Sequence, residues 1–325
     1  MPLVKAIVAA TDPLHPAGQA LLESAGFAVR VPSGPSAGEL ARVVASADAL
    51  IVRSKVTAEI VEAGTRLRGI VRHGAGLDFI PMDRANALAI PVAYVPGANA
   101  ESVAEYVFAA VFAVMRRLER ADGAMRAQSW AAAREPASRA RELRGRTLGV
   151  IGLGHIGRRV AEIGHFGFAM KVIGHQRRRD AMPGFVTPAD RQTVFSESDF
   201  IVLACPLTEE TRHFVNAPLL SHVRKGAWLI NVARGALIEE AALVAALSAG
   251  SLAGAVLDVF AEQPLPDDHP YRALPNVLLT PHFAGLTADS LERLSCGACE
   301  EAIRILKGER PLHLANPEIW ERRRR

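Results

Sequence analysis

A chain of 325 residues exceeds the usual size of one domain, so two domains are expected. Half of its residues are hydrophobic and 22% are charged, which provides for a sizeable core and excludes wholesale disorder. The net charge of +4 is mild, and much of it sits in the terminal Arg322–Arg325, a run without interleaved aromatics that reads as a solvated, frayed tail rather than a nucleic-acid grip.

Three cysteines, Cys205, Cys296 and Cys299, are too few and too scattered for a disulfide framework, and a reducing cytoplasm is expected. Cys296-x-x-Cys299 falls in a helical pattern without a second pair, so it reads as a helix face and no metal site is expected. No stretch is long and apolar enough for a membrane helix, and no signal-peptide pattern opens the chain.

In chain order, residues 3–9 read as a strand and Thr11–Pro16 as a turn, followed by helical spacing over 17–25. Short apolar strands recur at 27–31, 49–52, 69–72 and 92–95, with helical stretches at 37–46, 57–63 and 81–88 between them. That alternation predicts a small parallel α/β unit. A long Ala/Val/Phe-rich helix is predicted over 99–118, too apolar to stand alone and so expected to be buried between domains or subunits. Residues 119–146, with Trp130 and Pro136, read as a helix followed by an extended arm.

A second alternation begins at Thr147. Six parallel strands are predicted at 147–151, 170–174, 199–203, 227–231, 253–257 and 277–280, with helices at 155–164, 188–195 and 239–248 and a shorter piece near 217–223. The first strand runs into Gly152, Gly154 and Gly157 in G-x-G-x-x-G spacing, and a helix follows. Such a turn lets backbone N–H groups approach a pyrophosphate while the helix N-terminus faces its charge. A final helix is predicted over 287–307, ending at Gly308. Pro311–Asn316 has no partner nearby in sequence, and its expected home is back on the first domain. The fold class is therefore α/β: two Rossmann-like, doubly wound parallel-sheet domains. The second, over 99–286, is inserted in a discontinuous first domain of 1–98 plus 287–325.

Five segments in this order carry a family resemblance: Val71-Arg-His-Gly-Ala-Gly-Leu-Asp78, Gly152-x-Gly-x-x-Gly157, Asn231-Val-Ala-Arg-Gly235, Leu257-Asp-Val-Phe260 and Thr280-Pro-His-Phe-Ala-Gly285. Together they resemble the D-2-hydroxyacid dehydrogenases, over about residues 50 to 290. The resemblance implies an NAD(P)-dependent oxidoreductase acting on CH–OH groups, which passes hydride between nicotinamide C4 and a small 2-oxo acid, and a homodimer built on the cofactor domains. Reduction of a 2-oxo acid needs a cation for the carboxylate and carbonyl and a proton donor for the developing alkoxide. Arg234 and His282, each just past a predicted strand end, fit those needs.

The resemblance also implies the other contacts. Asp258 would accept from the nicotinamide carboxamide, or instead cap a turn. Asn99 would lie near the nicotinamide, or cap a helix. Ala75 and Gly76 would present backbone N–H groups to the substrate carboxylate, and Arg53 with Ser54 would contribute or form an exposed turn. His155, Ile156, Cys205, Pro206, Val232, Ala233, Ala284 and Gly285 complete the implied cofactor contacts. Hydroxypyruvate or glyoxylate reduction is expected ahead of phosphoglycerate oxidation, because many phosphoglycerate dehydrogenases add a regulatory domain for which this length leaves no room.

Two residues depart from the family pattern. Gln263 stands where a catalytic glutamate is usual, and can orient the His282 ring without supplying charge; Glu262 could substitute only if the loop shifted register. Formate dehydrogenases of the same superfamily also carry glutamine here. Gln176 stands where NAD-selective members place aspartate, with Arg177, Arg178 and Arg179 after it. Cations there suit a 2′-phosphate, so NADP is the expected cofactor, with Arg177 and Arg178 as phosphate partners; a solvated basic loop with NAD is the other reading. The alternative functions are a dinucleotide-sensing binding protein of the corepressor type and oxidation of formate or phosphite.

Overall fold

The computed structural model describes residues 6–34, 36–135, 137, 140–178 and 181–324. Residues 3–5 of the first predicted strand, Pro136, Arg179 and Arg325 lie outside the described residues. The chain divides into two compact units, Met1–Asn99 with Leu286–Arg325, and Ala100–Gly285.

The first unit begins β1 (Ile7–Ala10), α1 (Pro16–Ser24), β2 (Ala28–Arg30), α2 (Ala37–Ala45), β3 (Ala49–Val52), α3 (Ala58–Ala63), β4 (Gly69–Arg72), α4 (Met82–Ala87) and β5 (Val92–Tyr94). The strands form one sheet in the order β2-β1-β3-β4-β5, parallel throughout. β3 is buried along its whole length, as a strand covered on both faces must be.

The second unit carries α5 (Ala100–Arg116), α6 (Leu118–Ala127), α7 (Trp130–Arg134), β6 (Thr147–Ile151), α8 (His155–Glu162), β7 (Lys171–His175), β8 (Thr187–Pro188), α9 (Arg191–Glu197), β9 (Phe200–Leu203), α10 (Ala217–Leu220), β10 (Trp228–Asn231), α11 (Glu240–Ser248), β11 (Gly254–Leu257) and β12 (Val277–Leu279). Its parallel sheet has seven strands, not six, in the order β12-β11-β10-β9-β6-β7-β8. The extra strand pairs Ile173 with Thr187 and Gly174 with Pro188. Proline has no N–H to give a further neighbour, so it suits this outer position. The helix expected from 188 starts only at Arg191, where the Asp190 carboxylate accepts from Thr193 N at 2.7 Å and caps it.

The apolar helix α5 does not need another domain to bury it. Its Val103, Val107, Phe108 and Val111 join Leu148, Val150, Val160 and Val172 in one core cluster of its own unit. It also stops at Arg116, because Arg117 takes a left-handed φ of 47° before α6 begins.

The chain returns to the first unit through α12 (Ala288–Lys307), opened by a Thr287/Ser290 capping box. Cys299 is fully buried in that unit's core and Cys296 half-buried; both are free. Beyond α12, Leu314 bridges Ala93 of β5 antiparallel, and the Asn316 side chain accepts from Val92 N at 2.7 Å. Arg323 and Arg324 are not the frayed tail expected of them. The Arg323 guanidinium lies over the Trp320 ring at 3.7 Å, and Arg324 Nη1 donates to the carbonyls of Gly64 and Thr65 at 3.0 and 2.9 Å. A guanidinium has five donors, and a carbonyl oxygen with two lone pairs at a helix end can accept one of them beside a backbone bond.

Candidate active site

In the seven-stranded sheet the chain reverses its direction of growth between β6 and β9, and ligands of open α/β sheets bind outside the carboxyl ends at such a switch point. The residues singled out from sequence follow the carboxyl ends of these strands. Gly152 follows β6, Gln176 β7, Cys205 β9, Val232 to Arg234 β10, Asp258 β11, and Thr280 to Gly285 β12.

The glycine turn is shaped for an outside guest. Gly152 has a φ of 93°, and a Cβ there would lie 2.6 Å from the Cys205 backbone. A Cβ on Gly157 would lie 1.8 Å from Gly152 O, so only glycine lets helix α8 start this close to β6. A Cβ on Gly154, by contrast, would meet nothing within 4 Å. Two glycines are there for packing and the third leaves open space in front of the first-turn amides of His155, Ile156 and Gly157, as a pyrophosphate requires. These residues fit a dinucleotide. Cys205 is a buried wall of this turn, and burial pushes its thiol up to about 11, so it is not a nucleophile.

At the end of β7, Gln176 Nε2 donates to Arg178 O at 2.6 Å, which turns this loop back on itself with the Arg177 and Arg178 side chains exposed. Past β10, buried Asn231 braces the next turn: its Nδ2 donates to Arg234 O at 2.9 Å and its Oδ1 accepts from Ala233 N at 3.1 Å. Val232 and Ala233 are buried, and Arg234 is half-buried with Nη1 donating to Ala233 O.

His282 adopts a left-handed φ of 56° in the loop after β12. Its Nδ1 lies 2.9 Å from Gln263 Oε1, while Gln263 Nε2 donates to Phe260 O at 3.3 Å. That second bond sets the amide orientation, so in this contact His282 Nδ1 donates to Gln263 Oε1. Gln263, rather than Glu262, meets the ring. A cavity of about 540 Å³ opens beside the pair, with Phe260, Leu265, Leu279 and Pro281 among its walls.

Asp258 is 1% exposed, and both its oxygens are engaged by its own chain. Oδ1 accepts from Thr280 Oγ1 at 2.7 Å and Phe283 N at 3.0 Å, and Oδ2 accepts from Ala284 N at 3.0 Å. Burial pushes this carboxyl up, against those three donors. These contacts brace the loop after β12.

The remaining sequence-predicted residues lie in the first unit. Ser54 Oγ donates to Asp12 Oδ1 at 2.9 Å, and the Arg53 guanidinium donates to Pro13 O. Ala75 is exposed and Gly76 half-buried in the loop after β4, and Asn99 directly precedes α5. Sequence reading missed Arg72, which organises this end of the sheet. Its Nε donates to Gly76 O at 2.9 Å, and its Nη1 to Val52 O, Arg53 O and His73 O at 2.8, 3.0 and 3.2 Å. Its guanidinium also lies over the Phe79 ring at 4.2 Å. Buried His73 beside it bonds Ser295 Oγ at 2.9 Å, and burial, with Arg53, lowers its pKa to about 4.

Among the described residues, no cluster of His, Cys, Asp and Glu could hold a metal, and no helix is long and apolar enough to cross a membrane. The fold and glycine turn define a dinucleotide-binding α/β protein, and comparison with known proteins narrows this. Residues 108–284 match the model of the D-isomer specific 2-hydroxyacid dehydrogenase NAD-binding domain. A glyoxylate reductase of Thermofilum pendens is 36% identical over 293 residues, 88% of this chain and 86% of that protein. A hydroxypyruvate reductase of Thermotoga maritima is 38% identical over 272 residues, 82% of this chain and 88% of the other. Among solved structures, an NADPH-dependent glyoxylate/hydroxypyruvate reductase from Sinorhizobium meliloti, in complex with NADP and malonate, superposes with a TM-score of 0.84 at 27% identity, covering 99% of each chain. The chain belongs to the D-isomer specific 2-hydroxyacid dehydrogenase family of NAD(P)-dependent oxidoreductases.

Proposed function

We propose that this protein is an NADPH-dependent reductase of small 2-oxo acids, of the glyoxylate and hydroxypyruvate class. The observation that carries the reading is the fixed pair His282–Gln263, which sets the imidazole at the carboxyl edge of the sheet that bears Arg234 and the glycine turn. A bound nicotinamide dinucleotide supplies the hydride. Arg234 holds the substrate carboxylate and polarises its carbonyl, and His282 Nε2 delivers a proton to the oxygen as charge develops there. Arg53, Ser54, Ala75 and Gly76 are the first unit's contribution to carboxylate binding. Asn99 and the segments 152–157, 205–206, 232–233 and 284–285 enclose the dinucleotide.

NADP is favoured over NAD because Gln176 removes the carboxylate that would repel a 2′-phosphate, and Arg177 and Arg178 supply cations beside it. Exposed Leu118, Met125 and Trp130 on α6 and α7 support a homodimer, and three free cysteines fit a reducing cytoplasm. NADPH oxidation over a panel of 2-oxo acids, with NADH in parallel and formate in the oxidative direction, tests the reading. Turnover of glyoxylate or hydroxypyruvate with kcat/KM higher for NADPH than NADH is expected. Tight NADPH binding without turnover on any acid would overturn it, and a ratio below one would overturn the cofactor assignment.

A further inference from the structure

The loop that carries His282 has an energetic problem. A left-handed backbone at a residue with a Cβ is strained and persists only where its surroundings over-determine it. Gln263 holds the ring, but a bond to Nδ1 does not fix the main chain on either side.

The main chain is fixed from below. Asp258 accepts from Phe283 N and Ala284 N, the two amides that follow His282, and from the hydroxyl of Thr280, two residues before it. One carboxylate thus ties both flanks of the strained residue. Thr280 Oγ1 has a single hydrogen, and it is directed at Asp258. The Tyr106 hydroxyl, 2.6 Å from Thr280 Oγ1, must therefore donate to it. Tyr106 is a half-buried residue of α5, and its ring packs edge-on against Phe283 at 5.6 Å. Proton direction is consequently fixed from α5 to β11, from Tyr106 to Thr280 to Asp258. Every donor in the chain points at the carboxylate, which favours its ionised form despite burial.

We propose that Tyr106, Thr280 and Asp258 form a positioning relay that holds His282 in its left-handed, proton-donating pose, with Asp258 acting on catalysis through the loop. The proposal rests on His282 being the proton donor of the reductase. It makes Thr280 and Tyr106, which touch neither ring nitrogen, determinants of kcat.

Thr280→Val keeps shape and removes the donor; Thr280→Ser restores it; Tyr106→Phe removes only the outer link. Losing a hydrogen bond to a buried carboxylate corresponds to about a ten- to hundredfold change. Thr280→Val is accordingly expected to lower kcat for 2-oxo-acid reduction by about tenfold or more, with the NADPH dissociation constant within about twofold of wild type. Thr280→Ser should recover most of that loss, and Tyr106→Phe should lose about threefold, since its bond reaches Asp258 only through Thr280. Hydrogen exchange across residues 277–286 in the cofactor-free protein supplies a readout independent of turnover. Faster exchange at Phe283 and Ala284 in Thr280→Val supports the relay. Wild-type kcat in Thr280→Val, a defect confined to NADPH affinity, or unchanged exchange at both amides would overturn it. A wild-type enzyme without turnover would overturn the reductase assignment, while exchange would still decide whether the relay holds the loop.

Discussion

His282 and Gln263 meet through Nδ1 and Oε1 at 2.9 Å, a neutral acceptor holding the ring where a carboxylate would add charge. Reduction uses the protonated ring, so its rate is lost as pH rises through the imidazole pKa. A carboxylate at this distance favours the charged ring and raises that pKa. Gln263→Glu should move the basic limb of kcat/KM for reduction upward by about one unit or more. An unmoved limb would show that residue 263 acts on orientation alone.

The glycine turn separates two kinds of defect. Gly154→Ala adds a methyl into open space, so its Tm should stay within about 2 °C of wild type while NADPH binding weakens by about tenfold or more. Gly157→Ala drives a Cβ against Gly152 O and should fail to give a stable second unit. If Gly154→Ala binds NADPH as tightly as wild type, no phosphate approaches the main chain there.

Arg72 reaches carbonyls of both loops at the carboxyl ends of β3 and β4. Arg72→Ala should raise KM for the 2-oxo acid by about tenfold with a smaller fall in kcat, because it loosens binding loops and leaves His282 untouched. Arg72→Lys should recover little, since one ammonium cannot span the four acceptors. Unchanged KM in both variants would remove these loops from the substrate site.

His73 is buried neutral, with its pKa lowered to about 4. Below about pH 6.5 the unfolded chain takes up a proton that the folded chain refuses, so stability falls from there toward pH 4. Between pH 7 and pH 5 this group alone removes about 2 kcal/mol. Urea titrations of wild type and His73→Asn should show a shallower pH dependence for the variant, whatever its stability at pH 7. Parallel slopes would mean that His73 is protonated in the fold.

Most of the architecture was legible because parallel strands buried on both faces leave near-continuous apolar runs, as in Leu148–Ile151 or Ala255–Leu257. The Thr187–Pro188 strand was not, because two residues carry no periodicity. The nearest partner of α5 was not legible for a related reason. Its apolar face shows that it needs a partner without saying which one, and Leu148, Val150 and Val160 of its own unit pack against it. At the site, motif spacing led to Gly152, Arg234 and His282. It did not lead to Arg72, whose role lies in the carbonyls it meets, nor to Tyr106, which lies 174 residues from its partner Thr280.

In the proposed reaction His282 supplies the proton for reduction. His282→Asn tests it most directly, because asparagine tolerates a left-handed backbone and can still bond Gln263, so the loop should survive. Single-turnover reduction of glyoxylate or hydroxypyruvate by NADPH should slow by about 10²- to 10⁴-fold, with the NADPH dissociation constant within about twofold of wild type. Reduction at the wild-type rate in this variant would mean that His282 is not the proton donor.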